Sequence, residues 1–124
     1  MTGTLILIIE DNPRDLKLVR ELLQVNGFHT IEATTGEAGI ELARERTPAL
    51  ILMDIQLPQM SGREAAEILK SDSKTRHIPI VALTASAMKG DRERLLAEGF
   101  NGYIAKPINI KEIPGIVGSY LAQA

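Results

Sequence analysis

Short apolar runs rich in Ile, Leu and Val recur along this chain, and a longer stretch with helical spacing separates each from the next. The runs are LILII at 5–9, HTIEA at 29–33, LILMD at 50–54, IPIVALT at 78–84 and GYIA at 102–105. Strands that alternate with helices build βαβ units and a parallel sheet. The near-continuous apolar character of 5–9, 50–54 and 78–84 suits central strands covered on both faces. The expected fold is therefore α/β, a five-stranded parallel sheet with flanking helices in a doubly wound (βα)5 arrangement.

The helical stretches carry their own start and stop signals. Leu16, Val19, Leu22 and Leu23 form an apolar stripe, with Asn12 as N-cap, Pro13 at the first helical position and Gly27 at the stop. A second helix is expected over 36–46, carrying Ala38, Ile40, Leu42 and Ala43. A third opens on Ser61, with Glu64 three residues on in a capping-box pattern, and is expected to bury Ala65, Ile68 and Leu69. A fourth is expected at roughly 89–98, with Leu95 and Leu96 inward. The last begins after Asn109 and runs to about 121. It contains Pro114, Gly115 and Gly118. Proline there removes a backbone bond, and each glycine costs about 1 kcal/mol against alanine, which predicts a late start, a kink or fraying. That weakens the expectation of a dimer packed through this helix.

The composition narrows the function classes. The chain has 124 residues, the size of one domain, and a net charge of -2, which argues against nucleic acid or an anionic membrane as partner. It has no cysteine, which excludes a disulfide scaffold, thiolate chemistry and a cysteine-ligated metal. There is no signal-peptide pattern and no apolar run of membrane-spanning length, so a cytoplasmic domain is expected.

In open parallel sheets the chemistry gathers at the carboxyl ends of the strands. Here those ends carry Glu10 and Asp11, Asp54, Thr84, and Lys106 followed by Pro107. Clustered carboxylates raise one another's pKa unless a cation sits among them, and oxygen-only ligands suit Mg²⁺. A lysine beside such a site suits a phosphoryl oxygen. Together they suggest phosphoryl transfer to an aspartate. Asp54, at the end of an apolar central strand, is the nucleophile candidate. The adjacent Glu10 and Asp11 are better metal ligands. A strand-end cap for Asp54, a packing role for Thr84 and a solvated loop position for Lys106 are the plain alternatives, and the joint presence of all five residues weakens them. Met53, Met60 and Met88 read as packing or loop residues, and His29 and His77 as surface residues.

IIEDN at 8–12, LILMDIQLPQMSG at 50–62, ALTA at 82–85 and YIAKP at 103–107 resemble the receiver domain of bacterial two-component response regulators. The resemblance covers essentially the whole chain and leaves no room for an output domain, so 1–124 is expected to be a single domain of the single-domain type. MDIQLPQMSG and TASAMKGD look nearest to regulators of cell division. The resemblance implies the flavodoxin-like strand order 2-1-3-4-5. It implies that Asp54 accepts a phosphoryl group from a histidine kinase or histidine phosphotransfer protein. It also implies Mg²⁺, with Mn²⁺ able to substitute, held by Asp11, by Glu10 mainly through water, by Asp54, and by the backbone carbonyl of Gln56. Lys106 would bind a phosphoryl oxygen, and the Lys106–Pro107 peptide would be cis. Thr84 and Tyr103 would switch together, with Gln56 and Ser86 flanking the path of an attacking water. The output would be contact with a downstream effector protein or a phosphorelay, from a monomer or weak dimer that is no enzyme beyond its own phosphoryl transfer and autodephosphorylation. Two other functions share parts of the pattern. A haloacid-dehalogenase-type phosphohydrolase uses a strand-end Asp but a second Asp two residues on, where this chain has Gln56. A flavodoxin-like cofactor binder needs a phosphate-cradling loop where EDNPRD is acidic.

Overall fold

The computed structural model describes residues 4–85, 91–109 and 111–123. Five strands and five helices alternate: β1 (Leu5–Ile9), α1 (Pro13–Val25), β2 (His29–Ala33), α2 (Gly36–Arg46), β3 (Leu50–Asp54), α3 (Gly62–Ser71), β4 (Ile80–Thr84), α4 (Asp91–Ala97), β5 (Gly102–Ala105) and α5 (Ile113–Gln123). All strand pairs are parallel, in the order β2-β1-β3-β4-β5. The sheet expected from the alternating pattern is the one observed.

Side-chain alternation along each strand divides the core into two layers. Ile6, Ile8, Leu50, Leu52, Val81, Leu83 and Ile104 pack with Val19 and Leu23 of α1 and with Ile113 and Val117 of α5. Leu7, Ile9, Ile51, Met53, Ile80 and Ala82 pack on the other side with Ile40 and Ala43 of α2, Ala65, Ala66 and Leu69 of α3, and Leu95 of α4. Burial of β1, β3 and β4 on both faces is what their unbroken apolar runs require.

The caps follow the sequence closely. Asn12 accepts from the backbone N–H groups of Arg14 and Asp15, and Pro13 takes the first helical position. Ser61 and Glu64 close a capping box on α3. Gly27 follows α1 with φ +87°, where a side chain would be strained.

Three expectations need correction, on Ile68, on Leu96 and on the strand at 78–84. Ile68 is 43% exposed and Ala66 takes its place in the core, because the buried face of α3 runs through 65, 66 and 69. Leu96 is 45% exposed: with Leu95 facing inward, the next residue is turned about 100° away on a helix. Ala38 of α2 is exposed, whereas Ile40 and Ala43 are buried. The strand expected at 78–84 pairs only from Ile80, since Pro79 has no N–H, although its carbonyl still accepts from Ile51 N at 2.9 Å. The start of the fourth helix expected before 91, together with Ser86 and Met88, lies outside the described residues.

The last helix starts late, as its proline and glycines predict. Asn109 closes a turn with Glu112 (N–H to carbonyl, 3.0 Å), and α5 begins at Ile113. Pro114 then falls in the first turn, where its missing N–H would have had no intrahelical partner. His29 and His77 are exposed, Met53 is in the core and Met60 packs against it.

Candidate functional site

The parallel sheet brings every strand's carboxyl end to one rim. β1 runs into Glu10, and β3 ends in Asp54, which pairs in register with Leu83 one residue before Thr84. β5 pairs Ala105 with Thr84 and so delivers Lys106 to the same edge. The Lys106–Pro107 peptide is cis. Of the candidate residues, Glu10, Asp11, Asp54 and Lys106 meet directly. Glu10, Asp11 and Asp54 each offer a carboxylate oxygen within 4.8 Å of the others.

Lys106 is the centre of this group. Its Nζ donates to Asp54 Oδ2 at 3.1 Å and forms an ion pair with Asp15 Oδ2 at 3.2 Å. It also lies 2.7 Å from Glu10 Oε1, within ion-pair reach but off the directions a hydrogen bond needs. Glu10 Oε1 therefore has a positive charge beside it and no directed donor, although Glu10 is wholly buried. Glu10 Oε2 accepts from Asn12 N at 3.1 Å, and Asp54 Oδ1 accepts from Gln56 N at 3.0 Å.

The electrostatics follow from burial and crowding. Burial and the neighbouring Asp54 carboxylate push Glu10 up to about 7, against the lowering pull of Lys106 and the Asn12 N–H. Burial alone would lower Lys106, but its contacts with Glu10 and Asp54 outweigh that and raise it, so the ammonium stays charged. Three carboxylates gathered this closely, one of them wholly buried, form a group that a cation would stabilise. The donor set is oxygen only, with one undirected buried oxygen, and it fits a hard divalent cation such as Mg²⁺.

Thr84 ends β4, the strand next to that of Asp54, and Tyr103 lies within β5. Thr84 is buried and Tyr103 half-buried. Tyr103 pairs with Ala82 and packs into the layer of α2, α3 and α4, on the sheet face to which Ala82 and Thr84 also belong by alternation. Close packing shapes the loop after Asp54. Gly62 N donates to Ile55 O at 2.8 Å, and a Cβ on Gly62 would collide with the carbonyl oxygen of Asp54 and come within 2.8 Å of Ile55 Cα. A surface hollow lined by Arg44, Glu67, Ile68 and Asp72 lies by the far end of α3, remote from the acidic rim.

The sequence reading missed Asp15. An acid in the first turn of a helix is common, and nothing in the linear spacing links it to Lys106. Its one signal was that it follows the Asn12 cap by a helical turn on the helix that enters from the acidic loop.

A doubly wound sheet whose carboxyl rim presents three acids, a hydroxyl and a lysine has the architecture of a signalling receiver. Residues 6–117 match the response regulator receiver domain, and the chain belongs to that family of two-component signalling proteins. It is 47% identical to the polar-differentiation response regulator DivK of Brucella ovis, over 96% of this chain and 97% of the relative. Among solved structures it resembles the receiver domain of a sensor histidine kinase from Pseudomonas aeruginosa, which holds a magnesium ion in its active-site cleft (33% identity, TM-score 0.89, 98% of this chain and 99% of that one). It also resembles the Mn²⁺-bound form of response regulator Rcp1 (28% identity, TM-score 0.82, 98% and 96% coverage). The haloacid-dehalogenase reading finds no support in these comparisons.

Proposed function

We propose that this chain is a phosphorylation-switched response regulator that accepts a phosphoryl group on Asp54 from a histidine kinase or histidine phosphotransfer protein. The observation that carries this is the contact of Lys106 with Asp54 inside the cluster of Glu10, Asp11 and Asp54. An Asp54 carboxylate oxygen attacks phosphorus as the P–N bond to the donor histidine breaks. The imidazole leaves with the electron pair and takes a proton from solvent. Asp11, Asp54, the Gln56 carbonyl and, mainly through water, Glu10 would hold Mg²⁺ or Mn²⁺, which supplies charge neutralisation at the phosphoryl oxygens. Lys106 binds a phosphoryl oxygen as a point charge.

Thr84 hydrogen-bonds the phosphoryl group, and its movement opens or closes the space that Tyr103 enters. A local charge event thereby becomes a two-state change of surface. The output is a contact with a downstream effector or onward relay of the phosphoryl group. A single receiver domain over 1–124, working in the cytoplasm as a monomer or weak dimer, agrees with the family. No helix among the described residues is long and apolar enough to cross a membrane. The likeness to the polar-differentiation response regulator DivK supports an output in the control of cell polarity or division.

Incubation with Mg²⁺ and acetyl phosphate, read by intact mass, should add one labile phosphoryl group, lost in Asp54→Asn. Modification that survives Asp54→Asn would sink the reading, and steady turnover of many phosphate esters would favour a hydrolase instead. Thr84→Ala should still accept the phosphoryl group but lose phosphorylation-dependent partner binding. Binding that stays phosphorylation-dependent in that variant would remove Thr84 from the switch.

A further inference from the structure

The ammonium of Lys106 has three donor directions, and three carboxylates surround it: Glu10 at 2.7 Å, Asp54 at 3.1 Å and Asp15 at 3.2 Å. Two of the three also belong to the oxygen cluster that fits a divalent cation. Asp15 does not. Its place is fixed independently of that cluster. It is the third residue of α1, its backbone N–H is held by Asn12 Oδ1 at 3.2 Å, and a carboxylate in the first turn is favoured by the positive end of the helix. Sheet alternation explains the meeting. Residue 106 continues the face of Ile104, which packs with α1 and α5, so the lysine emerges on the side from which α1 presents Asp15. Both partners are mostly shielded, with side chains 16% and 22% exposed.

Resting on the phosphoryl-accepting reading of the rim, we infer that Asp15 is a positioning residue for Lys106. It anchors the ammonium over Asp54 when the other two carboxylates are engaged elsewhere. A divalent cation draws on Glu10 and Asp54, and phosphorylation converts Asp54 itself. In both states Asp15 is the one carboxylate partner left to Lys106 alone. A lysine side chain is long and flexible, and without that anchor its charge spreads over many positions around the phosphoryl group. Asp15 touches neither the reacting atoms nor the cation cluster, so it acts through the lysine.

The test compares the unsubstituted protein with Asp15→Asn and Asp15→Glu, using two probes. The first is acetyl phosphate with Mg²⁺, read as the rate of phosphorylation at saturating Mg²⁺. The second is the ¹⁹F spectrum of the beryllofluoride adduct, in which the fluorine facing Lys106 reports the position of the ammonium. Asp15→Asn should slow phosphorylation by about threefold to fivefold, the scale of one partly shielded ion pair. It should also shift or broaden one fluorine resonance, and Asp15→Glu should recover most of both. In a Lys106→Met background, Asp15→Asn should cost nothing further. If rate and spectrum are unchanged in Asp15→Asn, Asp15 serves only the helix, whatever happens to stability, and the inference fails. It fails equally if the loss persists in the Lys106→Met background. Absence of any adduct on the unsubstituted protein overturns the phosphoryl-accepting reading itself and this inference with it.

Discussion

Glu10 is the residue with the most unusual surroundings. It is wholly buried, crowded by Asp54 and only partly compensated by Lys106. Its carboxyl, raised to about 7 from 4.5, keeps a proton in the folded chain that the unfolded chain has already lost. The unfolded state therefore binds fewer protons between those values, and stability falls as pH rises. The stabilising contribution is complete below about 4.5 and is lost as pH passes through about 7. Urea midpoints of metal-free protein should accordingly fall between pH 5 and pH 8. Glu10→Gln, which mimics the protonated acid, should flatten that dependence and be the more stable of the two at pH 8. A midpoint that rises across that range would contradict the assignment. At this scale the sequence was informative about identity and poor about partners. Asp54, Lys106 and the Glu10–Asp11 pair were legible because strand ends are readable. Asp15 was not, because its meeting with Lys106 depends on how α1 lies across the sheet.

Among the elements, the turn from β3 into α3 is the most constrained. Gln59 sits at φ +66°, and Gly62 packs onto the backbone of Asp54 and Ile55, where no flexible side chain can yield. Gly62→Ala should destabilise the fold by about 1–3 kcal/mol, the range for overpacking, and displace the loop that carries Gln56. Denaturant unfolding measures the first effect, and amide shifts of residues 55–61 the second. A cost near zero would mean that the loop gives way freely. Helix starts proved easy to read, because Asn12, Ser61 and Pro13 are local signals with local chemistry. Which side chains face inward was harder for short helices. Ile68 and Leu96 are apolar, but their helices already cover the sheet with Ala66 and Leu95, and burial is decided by neighbours that a linear pattern does not display.

For the whole molecule, the acidic rim makes metal binding a matter of folding free energy. A cation that binds the folded cluster and not the unfolded chain stabilises the fold by about 2.7 kcal/mol at a hundred times its dissociation constant. Added Mg²⁺ should therefore raise the urea midpoint at pH 8, while sodium chloride of equal ionic strength should not. Asp11→Asn should blunt the response. An equal effect of both salts would point to general screening. The topology was legible in full, since five apolar runs alternating with helices leave a parallel sheet as the economical solution, and the strand order followed from resemblance.

The division of the core into two layers has a further consequence. By strand alternation Glu10, Asp54 and Lys106 belong with the α1 and α5 side, whereas Thr84 and Tyr103 belong with the side of α2, α3 and α4. In the proposed function the chemical mark would thus be made on one side of the sheet and read out on the other. Thr84 itself stays in the ladder, paired with Ala105 and with its carbonyl accepting from Lys106 N at 2.8 Å, so in the proposed switch only its side chain would have to move. A switch of that kind would change one outer surface while the hydrogen-bonded middle of the sheet stays still.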